Sequence, residues 1–567
     1  MSKSFNPKPG TWDSGPVLRV IPLGGVGTFG MNCTVLEYGD HMIVVDAGLK
    51  IPQGNYPGVD LILPDFTYVL DNSQRLEGIV LTHGHDDHIG SLPYLLRHVD
   101  VPVYGTALTL AFVRERMANG KGKKGSHDPD LRQMLFYDPI RIGPFTIEPV
   151  RVNHSIPDGA ALIVDTPVGR IVHTGDFKLD DDPVDGHRTD LERLARAGED
   201  GVLLLMADST NADRPGAIPP EREVGKALED LMRQASGRIY VATFASHIHR
   251  IQLVLEAARK AGRVVAMEGR RMVRNSRIAS EMGYLDVPPG VLISLEETRD
   301  RPDENLVFLV TGSQGEPMSA LSRIVRGEHS ALEVREGDTI VFSSRIIPGN
   351  ELTTGWIIDE LFRMGARVLY QGTPMVHVSG HGAAQEIEQV IAAVSPRFFV
   401  PVHGDYRQLV ACADLARGSG VEDANTFILE AGNVLELDES GAQPGEPVPA
   451  GRLLMDGELV ADLSGPLVKE RRKLAREGLI TVVASIPPEG EKPAIEPFVH
   501  SIGVGLDDSM ASLNKKAVRL VSNMIGGWRG AHFSYDDLKE EIRIQVRSIY
   551  RKALQKKPTV VVVLVEE

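Results

Sequence analysis

Through residue 215 the chain alternates short apolar runs with turn signals, a strand-rich pattern. TVLEY (34–38) and HMIVVD (41–46) flank Gly39-Asp40, which predicts a β-hairpin. AALIVDTPVGRIVHTGDF, from Ala160, repeats the design around Thr-Pro-Val-Gly, and helices are expected at 92–99 and 191–197. After the loop NADRPGAIPPER the pattern changes. A strand at 238–244, a helix at 248–261 and a strand at 263–267 form a βαβ unit, the mark of a parallel sheet with helices on its faces. Strands at 306–310 and 339–342 and a helix at 351–364 continue it. The strand at 397–403 resembles the first segment again, so the middle block reads as an insertion.

The expected division is 1–215 and 373–440 for the first domain, 216–372 for the insertion, 441–465 for a Pro/Gly-rich linker and 466–567 for a small α+β domain. In the last, Ser534 and Asp537 form a capping box. Leu538, Ile542, Val546, Ile549 and Ala553 then make one apolar stripe, Pro558 ends the helix, and a Val-rich strand follows.

At 567 residues the chain needs several cores. The apolar run 560–565 is far shorter than the ~20 residues of a membrane span, and MSKSFNPKPG lacks the hydrophobic region of a signal peptide. With only Cys33 and Cys412, a disulfide framework is not expected, and a reducing cytoplasm is the default. The net charge of −16 argues against a protein that coats nucleic acid non-specifically, though not against an enzyme with a local basic channel. Two basic clusters, Lys121, Lys123 and Lys124 and then Arg270, Arg271, Arg274 and Arg277, are candidates for one; a solvated face explains them as well.

The chemistry concentrates at strand ends. THGHDDHIG (82–90) packs three histidines and two aspartates behind an apolar run. Five other runs end on Asp or His, at Asp46, His154, Asp176, Asp208 and His403, and ligand sites of open sheets lie along such an edge. Imidazole and carboxylate suit zinc or manganese, and no cysteine is placed to form a thiolate site. In His83-x-His85-x-Asp87-His88 the first pair can hold one ion and the second pair another, with a later Asp such as Asp176 as the bridge.

THGHDDHIG, with Asp46, His154 and Asp176, resembles the metallo-β-lactamase superfamily, and HVSGH (377–381) with PVHGDYRQL (from Pro401) resembles its β-CASP branch. From about Leu18 to the C-terminus the chain is similar to the ribonuclease J family. The resemblance implies an αββα sandwich with an inserted parallel-sheet β-CASP domain and an α+β C-terminal domain. It implies two Zn2+, one on His83, His85 and His154, the other on Asp87, His88 and His403, with Asp176 bridging and Asp46 orienting a ligand from behind. Mn2+ or Mg2+ is the alternative activating ion. A structural Ca2+ is a further option, with Asp456 as a contributor. Asp208 would support the site, and Asp86 stands where the motif often has a smaller residue.

Two cations suit in-line attack on a phosphodiester, with His381 as general acid to the leaving 3′ oxygen and products carrying a 5′ phosphate and a 3′ hydroxyl. His403 stands where DNA-processing members of the branch tend to have Val, so the resemblance favours RNA, with single-stranded RNA as the expected partner. His377, Val378, Ser379, Gly380 and His381 would line the phosphate beside the scissile bond, and Ser246, His247 and Ile248 a pocket for a 5′ monophosphate. Helix capping by Ser246 explains the latter residues equally well. Ser343–Arg345 is a weaker candidate for that pocket, and TGSQGEP (311–317) looks like a phosphate cradle without a nucleotide-binding Lys.

The expected activity is 5′→3′ exonuclease action on 5′-monophosphate RNA with endonuclease action, in RNA maturation and decay. A homodimer or higher oligomer, RNA-degradation partners and no membrane complete the picture. The rival readings are a DNA-processing β-CASP nuclease, a small-molecule metallo-hydrolase and a metal-free scaffold.

Overall fold

The computed structural model describes residues 16–52, 56–119, 128–347, 349–370, 375–457, 459–462, 466–487, 495–505, 507–527 and 534–566. The lysine cluster 121–124 lies outside them. Two compact units are present, Met1–Ile51 with Ile62–Arg452, and Pro52–Leu61 with Leu453–Glu567.

The first unit contains a two-sheet sandwich. One sheet has eight strands, running Ala442–Gly445, Val434–Leu437, Leu18–Gly24, Cys33–Tyr38, His41–Val45, Leu76–Val80, Val103–Gly105 and Leu131–Gln133. The other has six, Phe398–Val402, Leu204–Asp208, Arg170–His173, Ala160–Asp165, Phe145–Arg151 and Ile140–Ile142. Alternation along each strand divides the apolar residues between two layers. Val20, Leu36, Ile43 and Val80 meet Leu162, Ile171, Leu204, Met206 and Val400 between the sheets. On the outer face of the second sheet Ile163, Val172, Leu205 and Phe399 pack under helices Leu191–Glu199, Ala384–Val394 and Tyr406–Gly418. With both faces covered, the central strands are apolar throughout, as buried strands must be.

The chain leaves the sandwich after Leu204–Asp208 and returns in Phe398–Val402, which pairs with it in parallel, Asp208 opposite Val402. Between them lies a wholly parallel sheet in the order Leu292–Ile293, Val264–Glu268, Leu306–Val310, Ile239–Ala242, Thr339–Phe342, Arg367–Leu369. Helices Ala320–Val325 and Glu351–Arg363 cover one face through Leu321, Ile324, Ile357 and Leu361.

In the second unit Leu479–Ile486 pairs antiparallel with Phe498–Ile502 and parallel with Thr559–Glu566. Helices Asp507–Gly527 and Tyr535–Leu554 cover one face, while Val561, Val563 and Val565 on the other are each about half exposed.

Some expectations need correction. The helix at 92–99 is only Leu92–Leu95, a single turn with Pro93 in it. The stretch read as a linker supplies the edge strand Ala442–Gly445. Ser534 and Asp537 do form the capping box, and Leu538, Ile542 and Val546 are buried, but Ala553 is exposed. Tyr550 completes the stripe instead, because its hydroxyl donates to Asn514 Oδ1 at 2.6 Å and can therefore be buried. Asp456 is ion-paired with Arg471 and joins no group of three or more metal-capable His, Cys, Asp or Glu side chains among the described residues. Nor is the arginine helix an unpaired cationic face. Arg271 pairs with Asp86 at 2.7 Å, Arg274 with Glu115 at 2.8 Å and Arg277 with Glu281 at 3.8 Å.

Where the insertion meets the sandwich, the wholly buried Arg250 binds Glu221 Oε1 at 2.6 Å and donates to Ser343 Oγ at 2.6 Å and Val376 O at 3.2 Å. Lys178, itself 2.8 Å from Asp180, lies 3.7 Å from Glu221. Removing one member of a buried pair strands the other's charge. Arg250→Met is expected to destabilise this unit by about 3–5 kcal/mol, and adding Glu221→Leu to recover part of it. Denaturant midpoints of the two variants check this; equal midpoints for wild type and Arg250→Met would contradict it.

Candidate metal centre

The six strand-end residues do converge, but from two sheets rather than one. Asp46 and the His83–His88 segment follow strands of the first sheet, and His154, Asp176, Asp208 and His403 those of the second. His83, His85, His154 and Asp176 form one group able to hold a cation, and Asp87, His88 and His403 a second; Asp176, Asp208, His381 and His403 form an overlapping third.

Each imidazole of the first two groups is tied on its outer nitrogen. His154 Nδ1 donates to Gly380 O at 2.7 Å, since a carbonyl can only accept. A Cβ on Gly380 would come to 3.0 Å from that ring, so any larger residue would press on His154. His88 Nδ1 meets Asp46 Oδ2 at 2.7 Å, and Asp46 also accepts from the amide and hydroxyl of Thr82, both at 2.8 Å. His83 Nδ1 lies 3.1 Å from Thr82 Oγ1, His85 Nε2 3.3 Å from Ser155 Oγ, and His403 Nδ1 2.8 Å from Thr210 Oγ1. In His83, His85 and His154 the inner nitrogens are thereby left as lone pairs, the tautomer that metal ligation requires, and in His88 and His403 the same ties aim the inner nitrogen at neighbouring carboxylates.

Those lone pairs crowd together. His85 Nδ1 is 3.0 Å from His83 Nε2 and 3.1 Å from His154 Nε2, an arrangement that is repulsive without a cation. Asp176, 3% exposed, places Oδ2 3.5 Å from His83 Nε2 and 3.2 Å from His88 Nε2, and its Oδ1 has no hydrogen-bond partner among the described residues. A buried carboxylate oxygen without a donor between two histidine groups fits a pair of cations. The donor set is nitrogen and oxygen only, because both cysteines are free and buried, and burial pushes their thiols up.

The groups differ in protonation. Burial, followed by neighbouring histidines, holds His83 and His154 well below the usual histidine range, and burial lowers His85 to about 4. For His88 and His403 burial acts in the same sense but carboxylates outweigh it. Asp176, Asp46 and Asp87 raise His88 well above its usual value, and Asp176, Asp208 and Asp87 bring His403 to about 10.

His381 Nδ1 is 2.7 Å from Asp208 Oδ2, which leaves Nε2 as the outward nitrogen. Ser379 Oγ accepts from Asn211 Nδ2 at 2.9 Å and from the His381 amide at 3.1 Å, and Asn211 Oδ1 accepts from Arg345 at 3.0 Å. Val378 is buried, and His377 is pushed down to about 3 by burial and then by Arg250. Ser246 is partly exposed, whereas His247 and Ile248 are buried. The helix cap is His247, whose Nδ1 accepts from the Arg250 amide at 3.2 Å, so Ser246 is not the cap. The Ile248 amide is already bonded to Ser246 O at 2.9 Å.

Three contacts carry no local sequence signal. Asn32 Nδ2 lies 2.9 Å from His88 Nε2, His249 Nδ1 donates to His154 O at 3.0 Å, and Phe29 packs on His403 with ring centroids 4.8 Å apart. All three are long-range, between residues far apart along the chain.

Cations filling the centre must displace the protons on His88 and His403. Metal binding at pH 7 is expected to release about two protons, and apparent affinity to fall as pH falls, because protons compete for those nitrogens. Calorimetric titration in buffers of different ionisation enthalpy measures the release; none at all would contradict the assignment.

Four family descriptions match the chain: the metallo-beta-lactamase superfamily at 26–212, the ribonuclease J beta-CASP domain at 236–361, the Zn-dependent metallo-hydrolase RNA specificity domain at 365–428 and the ribonuclease J C-terminal domain at 466–567. Ribonuclease J of Thermus thermophilus is 40% identical over 97% of this chain and 95% of its own length. Ribonuclease J of Mycobacterium tuberculosis is 42% identical over 88% and 89%, and ribonuclease J2 of Bacillus subtilis 34% over 97% and 98%. A crystal structure of a protein of unknown function from Enterococcus faecalis shares the fold, with a TM-score of 0.52 at 17% identity, covering 74% of this chain and 100% of that one. Four domain matches in order and this identity over nearly the whole length lead to one conclusion: the chain belongs to the ribonuclease J family.

Proposed function

We propose that the protein is a metal-dependent ribonuclease with a dinuclear zinc centre, which degrades 5′-monophosphate RNA from the 5′ end and also cuts internally. The observation that carries the reading is the set of overlapping ligand groups around Asp176, whose Oδ2 also lies 3.2 Å from His88 Nε2, with His381 held by Asp208 at their edge. His83, His85 and His154 would hold one ion, Asp87, His88 and His403 the other, and Asp176 both. When bound, such a pair supplies Lewis-acid stabilisation of the phosphodiester and activation of an attacking water.

The chain's own groups do the rest. Asp208 orients His381 so that Nε2 can give a proton to the leaving 3′ oxygen. The Ser379 hydroxyl, already accepting twice, keeps its proton to donate to a phosphate oxygen. The exposed Arg345 guanidinium, fastened through Asn211 to the same loop, supports the reading that this side binds the RNA backbone. The end-pocket reading rests on Ser246, partly exposed at the entry to helix Ile248–Lys260, where the helix dipole favours a compact dianion. Self-association is supported by the half-exposed Val561, Val563 and Val565. No helix among the described residues is long and apolar enough to cross a membrane.

Asp176→Ala and His403→Ala are expected to lose both metal and cleavage. His381→Ala should lower turnover by roughly a hundredfold or more with metal content near wild type. Elemental analysis beside cleavage of labelled RNA checks this, and matching metal loss in His381→Ala would make His381 a ligand, as the third group allows.

End-labelled RNA with a 5′ monophosphate should be degraded faster than the same RNA with a 5′ triphosphate, and faster than matched DNA. Ser246→Ala should depress the exonuclease more than internal cutting. Equal rates on both 5′ ends would remove the pocket while leaving the nuclease, and faster DNA cleavage would replace the substrate class.

A further inference from the structure

The ring of His381 is enclosed by three others. His154 meets it with centroids 4.7 Å apart at 67°, His403 stacks on it at 5.2 Å and 17°, and Phe29 approaches at 6.4 Å and 74°. His154 and His403 belong to the ligand groups, and bound ions would hold them. Phe29 has no donor atom, yet its partly exposed ring lies against both His403 and His381.

Phe29 is delivered there by a backbone tied on both sides. Val26 and Gly27 pair in parallel with Gly404 and Asp405, the two residues after His403. Thr28 Oγ1 accepts from Lys50 Nζ at 3.0 Å, and the Met31 amide donates to Leu49 O at 3.2 Å. Gly27 and Gly30, with φ of 68° and 80°, turn the chain on either side of the ring. The segment carrying Phe29 and the segment carrying His403 are thus one piece of sheet.

The Asp208 bond fixes one atom of His381. A ring held at Nδ1 alone can still swing about that hydrogen bond, and the swing moves Nε2, the atom that must meet the leaving oxygen. Contact with aromatic neighbours on its faces and edge removes this freedom. We propose that Phe29 is a positioning residue for the general acid, packing the His403–His381 stack so that Nε2 of His381 keeps its aim. The inference rests on the ribonuclease reading above.

Leaving groups separate this role from a structural one. A ribose 3′ oxygen is a poor leaving group and needs the acid, whereas the p-nitrophenolate of bis(p-nitrophenyl) phosphate leaves with little help. Phe29→Ala in the full-length, metal-loaded enzyme is expected to lower kcat on RNA roughly tenfold to a hundredfold. It should lower aryl-diester turnover by less than about threefold, with KM and metal content near wild type. Phe29→Tyr, which keeps the ring, should restore RNA turnover. Equal losses on both substrates, reduced metal, a raised KM with kcat unchanged, or a Tyr variant as slow as Ala would each overturn the inference while leaving the ribonuclease intact. A wild-type enzyme that hydrolyses the aryl diester but no RNA would overturn the ribonuclease reading and this inference with it.

Discussion

The carboxylate of Asp176 is buried among imidazoles that follow strands of both sheets. Its Oδ2 lies 3.2 Å from His88 Nε2, 3.5 Å from His83 Nε2 and 3.6 Å from His154 Nε2, and its Oδ1 3.6 Å from His403 Nδ1. Surrounding positive charge holds Asp176 well below the usual carboxylate range against the opposing effect of burial. One negative side chain therefore organises imidazoles from both halves of the sandwich. A carboxyl protonated in place would leave those rings without a common partner. The outer ties to Asp46, Thr82, Thr210 and Gly380 have meaning because each turns a ring inward to this group.

The insertion is part of the same construction. Because Leu204–Asp208 and Phe398–Val402 pair in parallel, leaving and re-entering the sheet side by side, Asp208 and His403 stand next to each other, Asp208 Oδ1 being 3.4 Å from His403 Nδ1. The inserted domain also reaches back, through His249 to the backbone of His154 and through Arg250 to the backbone of Val376. Backbone conformation reflects the demand. Asp46 and His403 both end strands with positive φ, 60° and 54°. L-residues adopt that region at a cost of about 1–2 kcal/mol each, and here the surrounding hydrogen bonds hold them in it.

Much of the fold is legible in local patterns. The strands at 306–310 and 339–342, the two hairpins of the sandwich and the capping box at Ser534 follow from periodicity and turn chemistry, which act over a few residues. Errors arose where a distant group changed the outcome. Tyr550 is in the core because Asn514 satisfies its hydroxyl. His247 caps its helix in place of Ser246 because its imidazole sits in the buried Arg250–Glu221 network. The arginines of 270–281 look like a cationic face until Asp86 and Glu115 are seen to meet two of them.

By itself the sequence determined the residue types of the centre, their positions at strand ends and the family to which the chain belongs. An apolar run stopping at Asp or His is a local fact, and the tight spacing of His83, His85, Asp87 and His88 constrains the chemistry without reference to the rest of the chain. Only the tertiary structure decided which nitrogen of each ring faces inward, that the strand ends come from two sheets, and that Phe29, Asn32 and His249 stand around the centre. The reason is physical. A tautomer is selected by the partner of the other nitrogen, and those partners, such as Gly380 for His154 and Thr210 for His403, are brought by packing from elements up to 226 positions away along the chain.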